Sequence, residues 1–220
     1  MFYTRYIISF FLLLLVPFTL PPLSFGKGDV SKETVKEDVK ELGEASKVIQ
    51  KFNDTLLEAM KKGKDMGYKN RYELLTPVVR NTFSFPYMAR KSTGKYWKDF
   101  DKNQKWLVVE KYTEWTTATY AGRFNEYDGE KFEIVSEEED RNTVSVKSNI
   151  IESDGDKVEF VYRLRDFSGK WQVIDILLQG DVSQLAMTRS QFIGILNKGG
   201  YDGLLANFQE KIEEFAKKEE

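Results

Sequence analysis

The 220-residue sequence contains no cysteine and no histidine. Without cysteine the chain can form neither a disulfide nor a thiolate metal site, and no lipid can be attached to it through sulfur. Without histidine it has no Ser-His-Asp triad, no His-ligated zinc and no imidazole for acid–base chemistry. The sequence also lacks a GxxxxGK[ST] or GxGxxG stretch that would cradle a phosphate. Enzymes that depend on a histidine, a cysteine or such a phosphate-binding loop are therefore excluded.

The sequence also lacks an excess of charge of one sign. Its 33 Lys and Arg residues stand against 35 Asp and Glu residues, which gives a net charge of −2. A protein whose main partner is nucleic acid needs a strongly basic surface. The balance therefore argues against nucleic-acid binding, and the 14 % aromatic content indicates a core packed without disulfides.

Residues 1–26 have the layout of a secretory signal peptide. Arg5 precedes an apolar run from Tyr6 to Leu20, and small residues follow at Ser24 and Gly26. We expect cleavage after Gly26 and a single domain over residues 27–220, whereas an uncleaved anchor is the alternative. A cysteine-free exported domain fits a bacterial periplasm.

Helical periodicity dominates the first part of the domain, about residues 29–127. Apolar residues recur at helical spacing up to about Lys64, with expected breaks at Gly43, Gly63 and Gly67. A second helix over residues 68–83, which Pro77 could start or kink, and a short helix before Gly94 follow. The longest helix is predicted over residues 102–127, with Asp101 as its N-cap.

The period changes to two over about residues 130–180, which predicts four antiparallel strands joined by short turns. The run "SEEEDRN" is expected to form a charged turn. The fourth strand, "WQVIDILL", is apolar on both predicted faces: Trp171, Val173 and Leu177 lie with Asp175 on one face, and Ile174, Ile176 and Leu178 on the other. Helices over about 182–218 complete an α+β fold. The second apolar face of the fourth strand must then either pack against a further layer of helices or line a cavity.

Three polar features have a structural and a functional interpretation. Asp175 could be a general base with a pKa raised by burial, or the structural partner of an arginine or a tyrosine, for example Arg163 or Arg189. The run Glu137 to Asp140 lacks the spacing of a calcium loop and is predicted to be a solvated turn. A basic aromatic cluster could meet lipid phosphates or form an ordinary solvated helix end. This cluster comprises Arg90, Lys91, Lys95, Tyr96, Trp97 and Lys98.

Four spaced motifs lie between Gly94 and Leu204, in "GKYW", "YAGRFNEYDG", "WQVIDILLQGDVS" and "RSQFIGILNKGGYDGL". In this order they resemble the MlaC family of periplasmic phospholipid-binding proteins, which are also described as toluene-tolerance proteins. The resemblance covers nearly all of the chain after about Ala45. It implies that a helical part packs on a twisted sheet, similar to the fold of nuclear transport factor 2, and encloses an apolar pocket.

The resemblance also implies a function. Such a protein carries phospholipid through the periplasm of a Gram-negative bacterium and so maintains the lipid asymmetry of the outer membrane. The expected partners are an inner-membrane ABC transporter complex with an MCE protein and an outer-membrane lipoprotein complex. A monomer is expected, without catalytic residues, metal or cofactor other than its lipid cargo. The alternatives are a carrier or accessory factor for hopanoids or other polycyclic lipids, and an isomerase-type enzyme that uses Asp175.

If a pocket exists, its wall should combine the inner face of the sheet with the long helix. The predicted wall residues are Phe83, Met88, Tyr96, Trp97, Val108, Tyr112, Trp115, Tyr120, Val146, Phe160, Tyr162, Trp171, Val173, Leu178 and Val182. The strand assignments rest on periodicity, so a shift of one position would exchange the two faces.

Overall fold

The computed structural model of the chain describes residues 42–217. All described residues except Leu42 belong to one compact unit, which begins at Gly43. The predicted signal peptide, and the part of the first predicted helix before residue 42, lie outside the described residues.

Helices precede and follow an antiparallel sheet, as the periodicity predicts. The helices are α1 (Glu44–Thr82), α2 (Phe85–Thr93), a short 3₁₀ helix (Gly94–Lys98), α3 (Lys102–Arg123) and α4 (Gln184–Lys217). The strands are β1 (Lys131–Asp140), β2 (Thr143–Ile151), β3 (Lys157–Asp166), β4 (Trp171–Leu178) and β5 (Val182–Ser183). The α+β prediction is confirmed, with five strands in place of four. Val182 opens the short fifth strand and not the C-terminal helix.

The predicted helix boundaries hold where glycine or a cap defines them. In α1 the backbone leaves the helical conformation at Gly63 and Gly67, both of which have positive φ. The helix is not interrupted at Pro77. Asp101 caps α3 with a capping box that includes Gln104. The helix ends at Arg123, four residues before its predicted end at Tyr127.

A buried arginine links the break in α1 to the end of α3 by hydrogen bonds. Arg71 is fully buried, and its guanidinium donates hydrogen bonds to the carbonyl oxygens of Gly63 (2.8 Å) and Ala121 (2.9 Å). These carbonyls lie at helix ends, where the last turn leaves oxygens without intrahelical partners. A cation at this position also complements the negative end of the helix dipole.

The predicted turn "SEEEDRN" is wrong, because β1 continues to Asp140 and the turn consists of Arg141 and Asn142. A bulge at Val135 places Glu137 opposite Val146, on the same face of the sheet. The Glu137 carboxylate accepts a hydrogen bond from the Ser46 backbone N–H at 2.9 Å. It therefore satisfies a free donor at the start of α1.

The predicted face assignment of β4 is also wrong, because a second bulge shifts its register. Asp175 pairs with Arg163 but Val173 pairs with Leu164, so Ile174 is an extra residue without a partner in β3. Strict alternation fails across a bulge. Val173, Ile176 and Leu178 therefore share one face, which explains why the strand looks apolar on both faces.

Three carboxylates lie near Glu152: that of Glu130, just before β1, and those of Asp154 and Asp156 in the β2–β3 turn. The side chain of Glu152 is buried, and its Oε1 atom has no hydrogen-bond partner within residues 42–217. Burial, together with the carboxylates of Asp154, Asp156 and Glu130, raises the pKa of Glu152. The folded state therefore disfavours the ionised form of this side chain.

We expect Glu152→Gln to raise the melting temperature at pH 7, because it removes this penalised charge. A raised folded-state pKa contributes stability below the ordinary value of a glutamate and loses it as the pH rises through the folded-state value. The advantage of the variant should therefore shrink as the pH falls to about 4. Thermal melts over this range check the prediction, with Glu73→Gln on the exposed side of α1 as the control. An equal gain at both ends of the range would contradict it.

Candidate lipid-binding site

The sheet presents a largely apolar surface toward α1, which we call the inner face. Residues that lie opposite one another in the strand register share this face. Its buried apolar members are Val144, Val146, Ile150, Phe160, Tyr162, Leu164, Val173, Ile176 and Leu178. The alternation that buries them in β2 and β3 is the period-two pattern that the sequence predicts.

Aromatic rings from α1, α3 and β3, and from Phe83 just after α1, meet over the inner face. The ring of Phe52 in α1 lies 5.3 Å from Phe83, 5.1 Å from Tyr120 and 6.4 Å from Tyr162, measured between centroids. The ring of Phe160 lies 6.4 Å from that of Tyr162. Edge contacts such as those of Phe52 stabilise aromatic pairs beyond the burial of area. We call these five residues the central aromatic cluster.

A second aromatic cluster lies between the helices and consists of Phe85, Tyr112, Trp115, Phe192 and Phe208. Tyr112 lies 5.4 Å from Phe192, and Phe192 lies 5.1 Å from Phe208, so α3 and α4 are joined by ring contacts. Phe85 links the two clusters, because its ring lies 5.8 Å from Phe83 and 5.6 Å from Tyr112. An apolar layer thus extends from the inner face into the helical part.

The structure divides the fifteen predicted wall residues into three groups. Seven lie at the inner face or its aromatic cluster: Phe83, Tyr120, Val146, Phe160, Tyr162, Val173 and Leu178. Four are buried in the helices α2 and α3: Met88, Val108, Tyr112 and Trp115. Four are half-buried or exposed: Tyr96, Trp97, Trp171 and Val182. A role of these residues in lipid binding stays a prediction.

Sequence reasoning missed several members of this layer. Phe52 has the helical spacing of a core residue, but the sequence does not indicate that its ring contacts Tyr162 of the sheet. Strict alternation places Ile176 on the opposite face, because alternation along the strand does not reveal the bulge at Ile174. Phe192 and Phe208 come from the far end of the chain, and nothing local indicates their contact with Tyr112.

One polar pair interrupts the apolar inner face. Asn53 Nδ2 donates a hydrogen bond to Ser148 Oγ at 3.2 Å, and both residues are 1 % exposed. The Asn53 Oδ1 atom has no hydrogen-bond partner among the residues that the structure describes. A buried acceptor of this kind ordinarily binds a water molecule or a ligand.

Burial keeps the tyrosine hydroxyls of this layer neutral. It raises the pKa of Tyr112 to about 12, although the nearby hydroxyls of Thr188 and Ser92 partly offset the effect. Burial also raises the pKa of Tyr162 and of Tyr120 well above that of a free phenol. None of the three therefore ionises near neutral pH, and the layer offers rings and neutral hydroxyls to a ligand.

Asp175 is a helix cap and not a member of an arginine pair. Its carboxylate accepts hydrogen bonds from Ser183 Oγ (2.7 Å) and from the Leu185 backbone N–H (3.0 Å) at the start of α4. Arg163 lies opposite Asp175 in the strand register without an ion pair, and Arg189 donates to the Lys91 carbonyl oxygen instead. Both predicted arginine partners are therefore wrong. Both carboxylate oxygens are occupied by structural donors.

A model of the MlaC protein family matches residues 50–210. The chain belongs to the MlaC family. It is 32 % identical over 145 residues to the intermembrane phospholipid transport system binding protein MlaC of Haemophilus influenzae, a match that covers 62 % of this chain and 67 % of that protein. The family prediction made from the spaced motifs is thus confirmed.

A solved structure shares the fold. The chain resembles the phospholipid-binding protein from Ralstonia solanacearum in complex with a phospholipid, with a TM-score of 0.68. The match covers 79 % of this chain and 99 % of that chain at 20 % identity, a level at which the likeness concerns the fold.

MlaC proteins are lipid-binding transport proteins and not enzymes, which confirms the prediction that the chain is not an enzyme. Within residues 42–217, no three side chains among Asp and Glu are placed to hold a metal ion. No helix in this same part of the chain is both long and apolar enough to cross a membrane.

Proposed function

We propose that the protein is a periplasmic phospholipid carrier that holds the acyl chains of its cargo between the inner face of the sheet and the helices. Membership of the MlaC family is the observation that carries this proposal. The apolar layer of the inner face and the two aromatic clusters supports it, because acyl chains need such a surface. The head group would remain in water.

The physical need for a carrier is large. Each CH₂ group exposed to water costs about 0.8 kcal/mol, so two acyl chains with about thirty such groups face a barrier on the order of 20 kcal/mol. An apolar layer lowers this barrier by replacing the bilayer interior. Since loading and release must both occur, the site need only match the bilayer in apolarity and needs no reactive group.

The exchange partners we propose are an inner-membrane ABC transporter complex with an MCE protein and an outer-membrane lipoprotein complex. The name of the relative from Haemophilus influenzae supports a role in transport between membranes. The signal-peptide layout of residues 1–26 supports export, with a mature chain that begins near Lys27.

The test is to express the full chain in a Gram-negative host and to purify it from the periplasm. We expect mass spectrometry to find a chain that begins near Lys27 and about one diacyl phospholipid per protein molecule. A hopanoid or another polycyclic lipid as the main cargo would favour the alternative carrier. A lipid-free chain that also fails to accept phospholipid from vesicles would contradict the proposal.

A further inference from the structure

Trp106 is the most exposed large apolar side chain of the described residues, at 63 %. It lies in the second turn of α3, two residues before the buried Val108 and thus on a different face of the helix. A single exposed apolar residue needs no explanation by itself. The side chains around Trp106 are what make its exposure informative.

Lysines and aromatic residues lie close to Trp106 along the chain. Lys102 lies one helical turn before it on the same face. The Nζ atom of Lys105 lies 6.0 Å from the ring centroid of Trp97, which brings the 3₁₀ helix beside the first turn of α3. We call this surface the basic aromatic corner and define it as Lys95, Tyr96, Trp97, Lys98, Lys102, Lys105 and Trp106.

Contacts with the rest of the fold hold the corner in place. The ring of Trp97 lies 6.4 Å from that of Phe100, and Phe100 lies 5.3 Å from Tyr201 in α4. The Tyr96 hydroxyl donates a hydrogen bond to Asn197 Oδ1, also in α4. The corner is therefore built on three elements and is not a loose loop.

Basic side chains outnumber acidic ones around the corner. Lys95, Lys98, Lys102 and Lys105 form no ion pair within the described part of the chain, whereas Lys47, Lys62, Lys111, Lys147 and Lys157 do. Residues 90–106 contain six basic and two acidic side chains in a chain whose net charge is −2. One of these acids, Asp101, caps α3 through the Gln104 backbone N–H. On the next turn, Glu110 is paired with Arg80 at 2.9 Å.

We propose that the basic aromatic corner docks the protein on the surface of an anionic phospholipid bilayer. Trp106 would enter the head-group region, where an amphipathic indole is favoured. The lysines would be attracted to the negative surface potential of such a bilayer. The positive end of the α3 dipole, at the same corner, acts in the same direction.

Sedimentation of the mature protein with vesicles tests the proposal. We expect binding to vesicles of phosphatidylethanolamine with phosphatidylglycerol, weakening with salt, and little binding to vesicles of phosphatidylcholine alone. The double variant K102E/K105E should lower the affinity for anionic vesicles by more than about tenfold, because two attractions become repulsions. Trp106→Ser should lower it several-fold without changing the salt dependence.

The matched control is K51E/K69E, which changes the net charge equally at exposed positions of α1 outside the corner. Equal loss of binding in both double variants would overturn the proposal, as would failure of the unaltered protein to bind anionic vesicles. It would also be overturned if the corner variants bound vesicles normally but lost capture by a partner protein, since the corner would then be a protein interface.

The phospholipid that co-purifies with each variant separates this inference from the proposed function. Corner variants should carry as much phospholipid as the unaltered protein, because the corner contributes no residue to the inner face. An unaltered protein that bound anionic vesicles through the corner but carried no lipid would refute the carrier function and leave the docking surface intact. Corner variants that lost vesicle binding only because they had lost their lipid would refute the docking surface.

Discussion

Replacing Val146 with glutamate should reduce the phospholipid that co-purifies with the protein at least about tenfold. Val146 is 0 % exposed and lies at the centre of the inner face, between Glu137 in β1 and Tyr162 in β3. A carboxylate there would lie among acyl chains without a partner, and burying an unpaired charge costs several kcal/mol. Mass spectrometry of the purified variant, with circular dichroism as the check on folding, measures the effect.

Ser145→Glu is the matched control, because Ser145 is the neighbour of Val146 in β2 but faces the other side of the sheet. Its register partners are Glu138 and Arg163, so a new carboxylate meets one like and one opposite charge. We expect this variant to carry as much lipid as the unaltered protein. If folded Val146→Glu also keeps its lipid, the inner face is only a packed core and the predicted wall is wrong.

A variant that adds volume without charge distinguishes loss of lipid binding from loss of the fold. Val146→Phe extends the side chain from the inner face and introduces no unpaired polar atom, so its cost should be that of overpacking, about 1–3 kcal/mol. The variant should fold and carry less lipid than the Ser145→Glu control. Unchanged lipid content in this folded variant would place the acyl chains elsewhere.

The sequence predicts the elements that depend on local rules. The breaks at Gly63 and Gly67 follow from the conformational freedom of glycine, and the start of α3 follows from the capping residue Asp101. The alternation in β2 and β3 correctly predicts which residues lie on the inner face. These features depend on residues within a few positions of one another, and for this reason the sequence displays them.

Features that depend on distant partners could not be predicted in this way. The bulge at Ile174 is a property of the β3–β4 register, so alternation along β4 alone assigns the wrong faces. Glu137 looks like a turn residue until the start of α1 is placed beside it, 91 residues away in sequence. Asp175 and Ser183 belong to one spaced motif of the sequence. Their role in capping α4 follows only from the position of β4 beside the start of α4.

Asp175→Ala should lower the free energy of unfolding by about 2–3 kcal/mol, because it removes both hydrogen bonds of a carboxylate that caps α4. This corresponds to a fall in melting temperature of roughly 4–12 °C for a domain of this size. Asp175→Asn should cost less, since its amide oxygen can still accept the hydrogen bond of the Leu185 N–H. Thermal melts compare the two variants with Asp181→Ala, which removes an exposed carboxylate from the adjacent turn.

The same three variants also decide between a carrier and an enzyme that uses Asp175. For a carrier, the phospholipid bound per folded molecule should be equal in all three, because Asp175 lies on the face of the sheet opposite Tyr162 and Val146. For an acid–base enzyme, Asp175→Asn would abolish turnover while leaving the melting temperature almost unchanged. A variant with an unchanged melting temperature but no bound lipid would contradict the capping role, and would require Asp175 to contact the cargo directly.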